Sequence, residues 1–268
     1  MQDPELISKI SQNIKKSKKY KSVYDKTINR IVRGFALKYK NKPKEIEKKS
    51  KNLLHQIWGA FYSKKPDFKK LLDNLENDIK ASKSIEESIL PILHMQSSVK
   101  ERIYILDNFY KKIFEITGTP NSIIDYACGL NPLTLFWMDL QKLAQYKAFD
   151  IDEDEVNFLN VAYKLSGVKN AKVYLGDILA DDFQYADVVF LLKLLPCLEH
   201  QKKDSGIEVI KNLKCKYAVV SFPVKSLSGQ KAGMADFYSN NFKKLVEKEN
   251  WQIKEILFDT ELVFVIKK

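Results

Sequence analysis

Hydrophobic residues recur at helical spacing through the first part of the chain. From Pro43 to Tyr62 they fall on one face of a helix that carries lysines on the opposite face. Ser98 stands three residues before Glu101, the spacing of a capping box, and predicts a long helix that runs through Phe114. No strand-like alternation precedes residue 120, so the N-terminal part is predicted to be entirely helical.

The pattern changes to short apolar runs after Pro120. Five runs alternate with stretches that suit helices, residues 133–143 among them, and the runs cover residues 122–129, 146–150, 171–177, 186–192 and 217–222. Such alternation predicts a parallel β-sheet with helices on both faces. Two last runs, 251–257 and 262–267, are too close together for a crossover and therefore predict an antiparallel hairpin.

These elements predict an α/β fold in two domains. Residues 1–105 would form a basic helical domain, and residues 106–268 would form a domain with a Rossmann-like, mostly parallel sheet that ends in an antiparallel hairpin. A parallel sheet finished in this way resembles the class I S-adenosylmethionine-dependent methyltransferases.

Positive charge is concentrated in the predicted helical domain. Residues 1–105 hold 24 lysines and arginines against 12 acidic residues, whereas residues 106–268 hold 21 against 22. Nucleic acid is the first candidate partner for such a surface and an anionic membrane the second, because a polyanion releases counterions when its charges are neutralised. Lysine makes up most of the excess, which favours docking on a phosphate backbone over the reading of base edges. A solvated surface without a partner is the alternative.

Several classes of protein are disfavoured by the sequence. No apolar run approaches the length of a bilayer span, and no signal-peptide pattern is visible, so we expect a cytoplasmic protein that is not in the membrane. The three cysteines and three histidines lack metal-binding spacing, which argues against a metal site. The GxGxxG and GxxxxGK[ST] loops of dinucleotide and triphosphate sites are missing as well.

Three aspartates lie where parallel strands of the predicted sheet would end. Asp125 leads into a loop that contains Ala127 and Gly129, Asp150 ends the second strand, and Asp177 follows the third. In a doubly wound sheet, ligands bind beyond the carboxyl ends of the strands. One such aspartate is more often a turn residue or a helix cap, but three at successive strand ends favour a ligand site. S-adenosylmethionine fits the pattern that remains after the exclusions above.

Longer segments resemble the aminoglycoside-resistance 16S ribosomal RNA guanine-N7 methyltransferases of the Arm/Rmt type. The similar stretches are residues 17–20, 54–60, 96–102, 125–132, 190–196 and 220–229, with Gly233 and Met234. The resemblance implies methylation of N7 of guanine 1405 in the decoding site of the assembled 30S subunit, which confers resistance to 4,6-linked deoxystreptamine aminoglycosides. Two places depart from the family pattern: Gln96 replaces a usual histidine, and residues 235–238 replace Glu-x-Asn-Tyr.

The resemblance also implies roles for individual residues. Arg102 would bind the carboxylate of the cofactor, Asp150 its ribose and Asp177 its adenine. The other residues implied to surround the cofactor are Gln96, Ser97, Ser98, Ala127, Gly129, Ile178 and Leu194. Lys193 would position the target base and contact RNA, because a lysine in an apolar run is costly to bury without a partner. The remaining implied RNA contacts are Lys225, Ser226, Lys231, Met234, Lys15, Lys16, Lys18 and Lys19.

Other interpretations stay open on the sequence alone. The fold is compatible with methylation of another decoding-site base or of a small molecule, and a chain that had lost its chemistry would be an RNA-binding factor. A small-molecule substrate would leave the basic N-terminal region unexplained, and Arg102, Asp150 and Asp177 argue against a non-catalytic protein. We expect the protein to be a monomer.

Overall fold

Residues 4–40, 42–62, 65–224 and 233–268 are described by the structure, a computed structural model. The α-helices are α1 (Pro4–Lys16), α2 (Asp25–Lys38), α3 (Pro43–Leu54), α4 (Phe68–Lys80), α5 (Ile85–Leu93), α6 (Ser97–Lys100), α7 (Leu106–Thr117), α8 (Glu153–Leu165), α9 (Leu195–Gln201), α10 (Ser205–Asn212) and α11 (Met234–Val246). The strands are β1 (Ser122–Tyr126), β2 (Gln145–Asp150), β3 (Ala171–Leu175), β4 (Tyr185–Leu192), β5 (Lys214–Pro223), β6 (Gln252–Leu257) and β7 (Glu261–Lys267).

The seven strands form one sheet in the order β3-β2-β1-β4-β5-β7-β6. Strands β1 to β5 run parallel to one another, and β7 pairs antiparallel with both β5 and β6. This arrangement confirms the predicted parallel sheet and its C-terminal hairpin. It brings the carboxyl ends of β1, β2, β3 and β4 to one edge of the sheet, where the predicted aspartates stand.

Helices α1, α2 and α3 pack around a hydrophobic core of their own. Ile14, Val32, Ile46 and Leu54 are fully buried in it. The described residues before Ser122 are helical or irregular, as predicted, and an isolated bridge from Val23 to Asp152 joins the three-helix unit to the end of β2. A π-helix over His55–Gly59 extends α3 toward the sheet.

Helices α4 to α7 instead share the core of one sheet face. Leu75, Phe109 and Tyr110 from these helices are buried together with Phe190 of β4. Helices α9, α10 and α11 cover the opposite face, where Phe242 stacks on Phe264 of β7. The sheet is therefore covered on both faces, and the polar edge formed by the strand ends faces the α1–α3 unit.

Two helix predictions were wrong. The helix expected from Ser98 through Phe114 is broken into α6, a 3₁₀ turn over Ile103–Ile105 and α7. The break lies next to Arg102, whose guanidinium donates to Glu261 in the core, a long-range contact that local spacing does not report. The helix expected over residues 133–143 is a 3₁₀ helix over Asn131–Trp137, which holds Asn131 and Thr134 in a buried hydrogen-bond network.

Candidate active site

A cleft of about 840 Å³, part of it open to solvent, lies at the carboxyl ends of the strands. The α1–α3 unit and the segment that follows it supply one wall, formed by Thr27, Arg30, Ile57, Trp58, Phe61 and Tyr62. The second wall comes from the strand ends with the loops that follow them, and from α6, α8 and α9. Its residues are Gln96, Ser98, Ala127, Gly129, Asp150, Ile151, Glu155, Gly176, Asp177, Ile178, Leu192, Lys193, Leu194, Cys197, Leu198 and Gln201. A cleft lined mainly by apolar surface with a few polar groups suits a small-molecule ligand.

The loop after β1 forms the floor of the cleft. Ala127 and Gly129 both have positive φ angles, 52° and 50°. A Cβ at Gly129 would overlap the amide of Gln96, so the position accepts only glycine. Gln96 holds the loop in turn, because its Oε1 accepts the backbone N–H of Leu130 at 2.9 Å. Because Gly129 has no side chain, the backbone of this loop lies directly against the cleft.

Asp150 lines the cleft at the end of β2 and binds the same loop. Its Oδ2 accepts the N–H of Gly129 at 2.9 Å, and its Oδ1 accepts those of Ile151 at 2.7 Å and Asp152 at 3.2 Å. Burial raises the pKa of Asp150 to about 6 against these stabilising hydrogen bonds. The carboxylate is thus rigidly placed, with little of its hydrogen-bonding capacity left over.

Asp125 holds the loop from behind instead of lining the cleft. Its Oδ2 accepts hydrogen bonds from Asn131 and from the hydroxyl of Tyr146, both at 2.7 Å. Burial raises its pKa to about 6. Of the three aspartates found at strand ends, Asp150 and Asp177 therefore face the cleft, and Asp125 supports the loop between them.

Asp177 closes one end of the cleft through an ion pair with the N-terminal helices. Nε and Nη2 of Arg30, on α2, donate to Asp177 Oδ2 at 3.0 and 2.8 Å. The same Nη2 donates to Gln201 at 2.8 Å. The side chains of Arg30 and Asp177 are 25% and 5% exposed, so the pair is partly accessible and ties the α1–α3 unit to the sheet.

Lys193 and Arg102 meet around Glu261 at the other end. Arg102 donates to both oxygens of Glu261, at 3.1 and 2.7 Å, and to Asn131 at 2.7 Å. Lys193 donates to Glu101 at 2.5 Å and to the carbonyl oxygen of Ser98 at 3.0 Å, and it lies 3.7 Å from Glu261. Burial alone would raise the pKa of Glu261, but the two cations hold it below its usual range.

Glu155 and Tyr62 occupy the middle of the cleft. Glu155, on α8, is 1% exposed, and its Oε2 accepts the hydroxyl of Tyr62 at 2.8 Å. Burial raises the pKa of Glu155 well above its usual value, and the negative charges of Asp150 and Asp152 raise it further. Buried polar atoms of three cleft residues have no hydrogen-bond partner among the described residues: Glu155 Oε1, Thr27 Oγ1 and Trp58 Nε1.

The structure brings most of the predicted cofactor residues together. Nine of the predicted residues line the cleft: Gln96, Ser98, Ala127, Gly129, Asp150, Asp177, Ile178, Lys193 and Leu194. Ser97 and Arg102 do not line it. Ser97 donates its N–H to Phe61, and Arg102 is 1% exposed, so cofactor contacts by these two residues stay predictions. Lys193 lines the cleft with only 8% of its surface exposed, because Glu101 and Glu261 neutralise it inside the fold, and its contact with RNA or the target base stays a prediction.

The predicted RNA contacts are spread over three places. Lys225, Ser226 and Lys231 lie outside the described residues. Met234 begins α11 away from the cleft and is half-buried. In the N-terminal unit, Lys16, Lys18 and Lys19 are exposed, whereas Lys15 is half-buried, forms an ion pair with Asp25 at 2.7 Å and donates to the carbonyl oxygen of Val23.

The sequence predictions did not include the cleft residues that come from the N-terminal helices, nor the buried carboxylate of Glu155. Arg30, Thr27 and Tyr62 come from segments that the sequence assigned to a separate helical domain. Glu155 did leave a signal, since it falls on the apolar stripe of α8 with Leu159. An acidic residue on a buried helix face needs a partner, and this position could have been singled out on that ground.

Comparison with known proteins supplies the class of enzyme. The profile of the ribosomal RNA methyltransferase family FmrO matches residues 16–265. The chain belongs to the FmrO family of ribosomal RNA methyltransferases. A 16S rRNA (guanine(1405)-N(7))-methyltransferase of Micromonospora echinospora is 34% identical over 266 residues, 98% of this chain and 97% of that protein. One of the same name from Proteus mirabilis is 30% identical over 98% of this chain and 97% of its own length.

Solved structures of FmrO-like enzymes share the whole architecture. The crystal structure of the 16S rRNA methyltransferase RmtF in complex with S-adenosyl-L-homocysteine matches with a TM-score of 0.83, at 27% identity, over 99% of each chain. The 16S rRNA methylase RmtB matches with a TM-score of 0.77, at 25% identity, over 98% of each chain. The fold is that of an S-adenosylmethionine-dependent methyltransferase with a helical N-terminal region.

The described residues contain neither a metal-binding cluster nor a membrane-spanning helix. Within residues 4–40, 42–62, 65–224 and 233–268, His, Cys, Asp and Glu side chains form no group of three or more that could hold a metal ion. No helix in the same ranges combines the length and the apolar character that crossing a bilayer requires.

Proposed function

We propose that this FmrO-family enzyme methylates N7 of guanine 1405 in the 16S ribosomal RNA of the 30S subunit, with S-adenosylmethionine as the methyl donor. The observation that carries the proposal is the cleft at the strand ends, where Gly129, Asp150 and Asp177 face the wall made by the N-terminal helices. The curated relatives that match over nearly the full chain carry this activity in their names. Resistance to 4,6-linked deoxystreptamine aminoglycosides is the expected consequence in a cell.

The residues of the cleft suit the cofactor. The glycine that Gln96 requires at position 129 leaves backbone N–H groups close to the cleft, and Ile178 and Leu194 supply apolar surface for a flat ring. Three buried polar atoms on the lining lack partners among the described residues, which a ligand rich in hydroxyl and amino groups would supply. Asp150 is proposed to hold the ribose and Asp177 the adenine, while Arg102 is proposed to act on the cofactor carboxylate.

The chemistry requires little from the side chains. S-adenosylmethionine supplies a methyl group that its sulfonium leaving group already activates. The N7 atom of guanine carries a free lone pair at neutral pH, so the protein has no proton to remove and acts by holding the base in line. Burial raises the pKa of the Cys197 thiol in the cleft to about 11 and that of Cys128 well above its usual value. Both thiols are therefore protonated at neutral pH, which disfavours a covalent cysteine mechanism.

The N-terminal region is proposed to dock on folded ribosomal RNA. Lys16, Lys18 and Lys19 are exposed on the α1–α3 unit, in the part of the chain that carries the excess of positive charge. We keep the division at residues 105 and 106 as a proposed division of labour between RNA docking and methyl transfer. A monomer that acts in the cytoplasm on the assembled subunit is the proposed working form.

The test is transfer of a labelled methyl group from S-adenosylmethionine to purified 30S subunits, to naked 16S RNA and to a mixture of free nucleosides. We expect rapid labelling of the intact subunit and little labelling of the other two, because a docking surface made of several RNA segments exists only after assembly. Equal labelling of naked RNA and subunits would contradict the docking proposal. Labelling of the nucleosides alone would indicate a small-molecule enzyme instead.

A further inference from the structure

The buried carboxylate of Glu155 has no place in the proposed contacts so far. It lies on α8, one turn after Asp150 and Asp152, and it lines the cleft although it is only 1% exposed. Tyr62 satisfies its Oε2 at 2.8 Å, while its Oε1 has no hydrogen-bond partner among the residues that the structure describes. A buried acceptor without a partner destabilises the fold, so a partner for Oε1 would stabilise the site.

The neighbouring Asp150 explains why a second acceptor is needed. An ionised carboxylate offers roughly four lone-pair positions. The amides of Gly129, Ile151 and Asp152 already use three of them. About one position remains, which suffices for one hydroxyl but not for both hydroxyls of a vicinal diol. Glu155 lies close enough to Asp150 for the charge of Asp150 to act on it.

We infer that the ribose of the cofactor is held by two carboxylates, with one hydroxyl donating to Asp150 and the other to Glu155 Oε1. Tyr62 is the positioning residue: it fixes the orientation of Glu155 through Oε2, and its own oxygen accepts a hydrogen bond from Gln96 at 3.2 Å. The inference rests on the proposed use of S-adenosylmethionine, and it assigns a specific contact to a residue outside the strand-end pattern.

The arrangement also links the cofactor to the N-terminal region. Tyr62 belongs to the wall that lies between α3 and α4, and Thr27 on α2 adds a fully buried hydroxyl without a partner among the described residues. In this arrangement Glu155 on α8 contacts the ribose directly, and Tyr62 on the N-terminal side of the cleft holds Glu155 in place. A cofactor that lacked one hydroxyl would lose the contact that connects the two walls.

The test measures binding of S-adenosylhomocysteine and its 2′-deoxy and 3′-deoxy analogues by calorimetry, with the full-length protein and the variants Glu155→Leu and Glu155→Gln. We expect Glu155→Leu to weaken S-adenosylhomocysteine about 10-fold to 100-fold. For one of the two deoxy analogues the same substitution should leave the affinity unchanged, because the hydroxyl that contacts Glu155 is already gone. Glu155→Gln should give the same selectivity with a smaller loss.

The matched control is Asp152→Asn. Asp152 is 1% exposed and carries a charge in the same acidic group, but it does not line the cleft. It caps α8 through its Oδ1, and asparagine keeps that cap. We expect this variant to change the affinities of all three ligands by one common factor, since it alters the local field and a 3.7 Å ion pair with Lys65 but no predicted contact with a ribose hydroxyl.

Two outcomes would overturn the inference. If Glu155→Leu and Glu155→Gln weaken all three ligands equally, Glu155 acts only through charge or folding. If they weaken none of them, it does not contact the cofactor. Thermal unfolding without ligand serves as the folding check, and Glu155→Leu should be about as stable as the unmodified protein, because removal of an unsatisfied buried group offsets the hydrogen bond that Tyr62 loses. Failure of the unmodified protein to bind S-adenosylhomocysteine would instead contradict the proposed function.

Discussion

Two arginine–carboxylate pairs lie at the two ends of the cleft, one in the core beside it and one on its lining, and they differ in burial and in what they join. Arg102 and Glu261 have side chains that are 2% and 0% exposed, and both belong to the part of the chain that packs with the sheet. Arg30 and Asp177 are 25% and 5% exposed, and they connect the α1–α3 unit to the loop after β3. The first pair is part of the core, and the second is a bridge at a ligand-binding surface.

The difference indicates that burial decides what each pair does. The guanidinium of Arg102 is surrounded by Glu261 and Asn131, so its main effect is on the stability and shape of the floor. Asp177 is buried as well, but it lines the cleft together with its partner Arg30, which is 25% exposed on α2. Substitutions at the first end should therefore change folding, and substitutions at the second should change ligand binding.

The largest expected effect is on stability at the first end. Glu261→Gln leaves Arg102 and Lys193 as buried cations without their shared carboxylate, which should lower the free energy of unfolding by about 3–5 kcal/mol. Urea denaturation measures the change. The control Glu208→Gln breaks an exposed pair with Lys202 and should cost no more than about 1 kcal/mol. Similar losses for both variants would remove the distinction between the two ends.

The acids of the floor and middle predict the pH dependence. Burial raises the pKa of Asp125 and Asp150 from 3.8 to about 6, and that of Glu155 well above 4.5. In this range the folded protein holds protons that the unfolded chain has released, so stability falls as the pH rises from about 4 through 6. Thermal melts from pH 5 to pH 8 should show a decline, and Glu155→Gln should make it shallower. A rise in stability over this range would speak against a desolvated acidic floor.

Ligand affinity is the quantity to follow at the second end. Asp177→Asn should weaken S-adenosylhomocysteine about tenfold, through the loss of one charge-assisted hydrogen bond, with a smaller effect on stability than Glu261→Gln. Asp181 is the matched control, because it pairs with Lys26 of the same helix and does not line the cleft. Calorimetry should give nearly unchanged binding for Asp181→Asn. If the two variants weaken binding alike, the contact of Asp177 with the ligand is not specific.

The smallest effect on cofactor affinity should come from the exposed lysines outside the cleft, which are expected to act on subunit binding instead. Lys16→Ala with Lys18→Ala should weaken binding to 30S subunits and reduce the slope of log affinity against log salt by about 1–2, while S-adenosylhomocysteine binds as before. Lys164→Ala with Lys169→Ala removes two exposed lysines near the opposite end of the sheet and should leave subunit binding unchanged. Equal losses for both pairs would indicate a non-specific charge effect.

Much of the fold was predictable because the local spacing of apolar residues determines which segments form helices and which form strands. The apolar runs became β1 to β5, and the short spacing of the last two became the β6–β7 hairpin. The long helix through Arg102 was mispredicted because local spacing carries no sign of a tertiary partner. The side chain of Arg102 pairs in the core with Glu261, which is 159 residues away in the sequence, and the helix is interrupted directly after Arg102.

The site was predictable only in the part that the strands supply. Asp150 and Asp177 follow from strand ends, whereas Arg30 and Tyr62 reach the cleft through the packing of the N-terminal helices on the sheet. Nothing near these two residues in the sequence encodes that contact. Glu155 lies between the two cases, since its place on an apolar helix face is visible but its partner Tyr62 is not.

The measurement that tests the central claim most directly is the position of the new methyl group on the ribosome. After reaction of 30S subunits with S-adenosylmethionine, borohydride and aniline cleave the RNA at N7-methylguanine, and primer extension maps the break. The account predicts a single stop at the decoding-site guanine named for the curated relatives, guanine 1405, and no stop with the Asp150→Ala variant. A methyl group at any other nucleotide, or none although the cofactor binds, would contradict it.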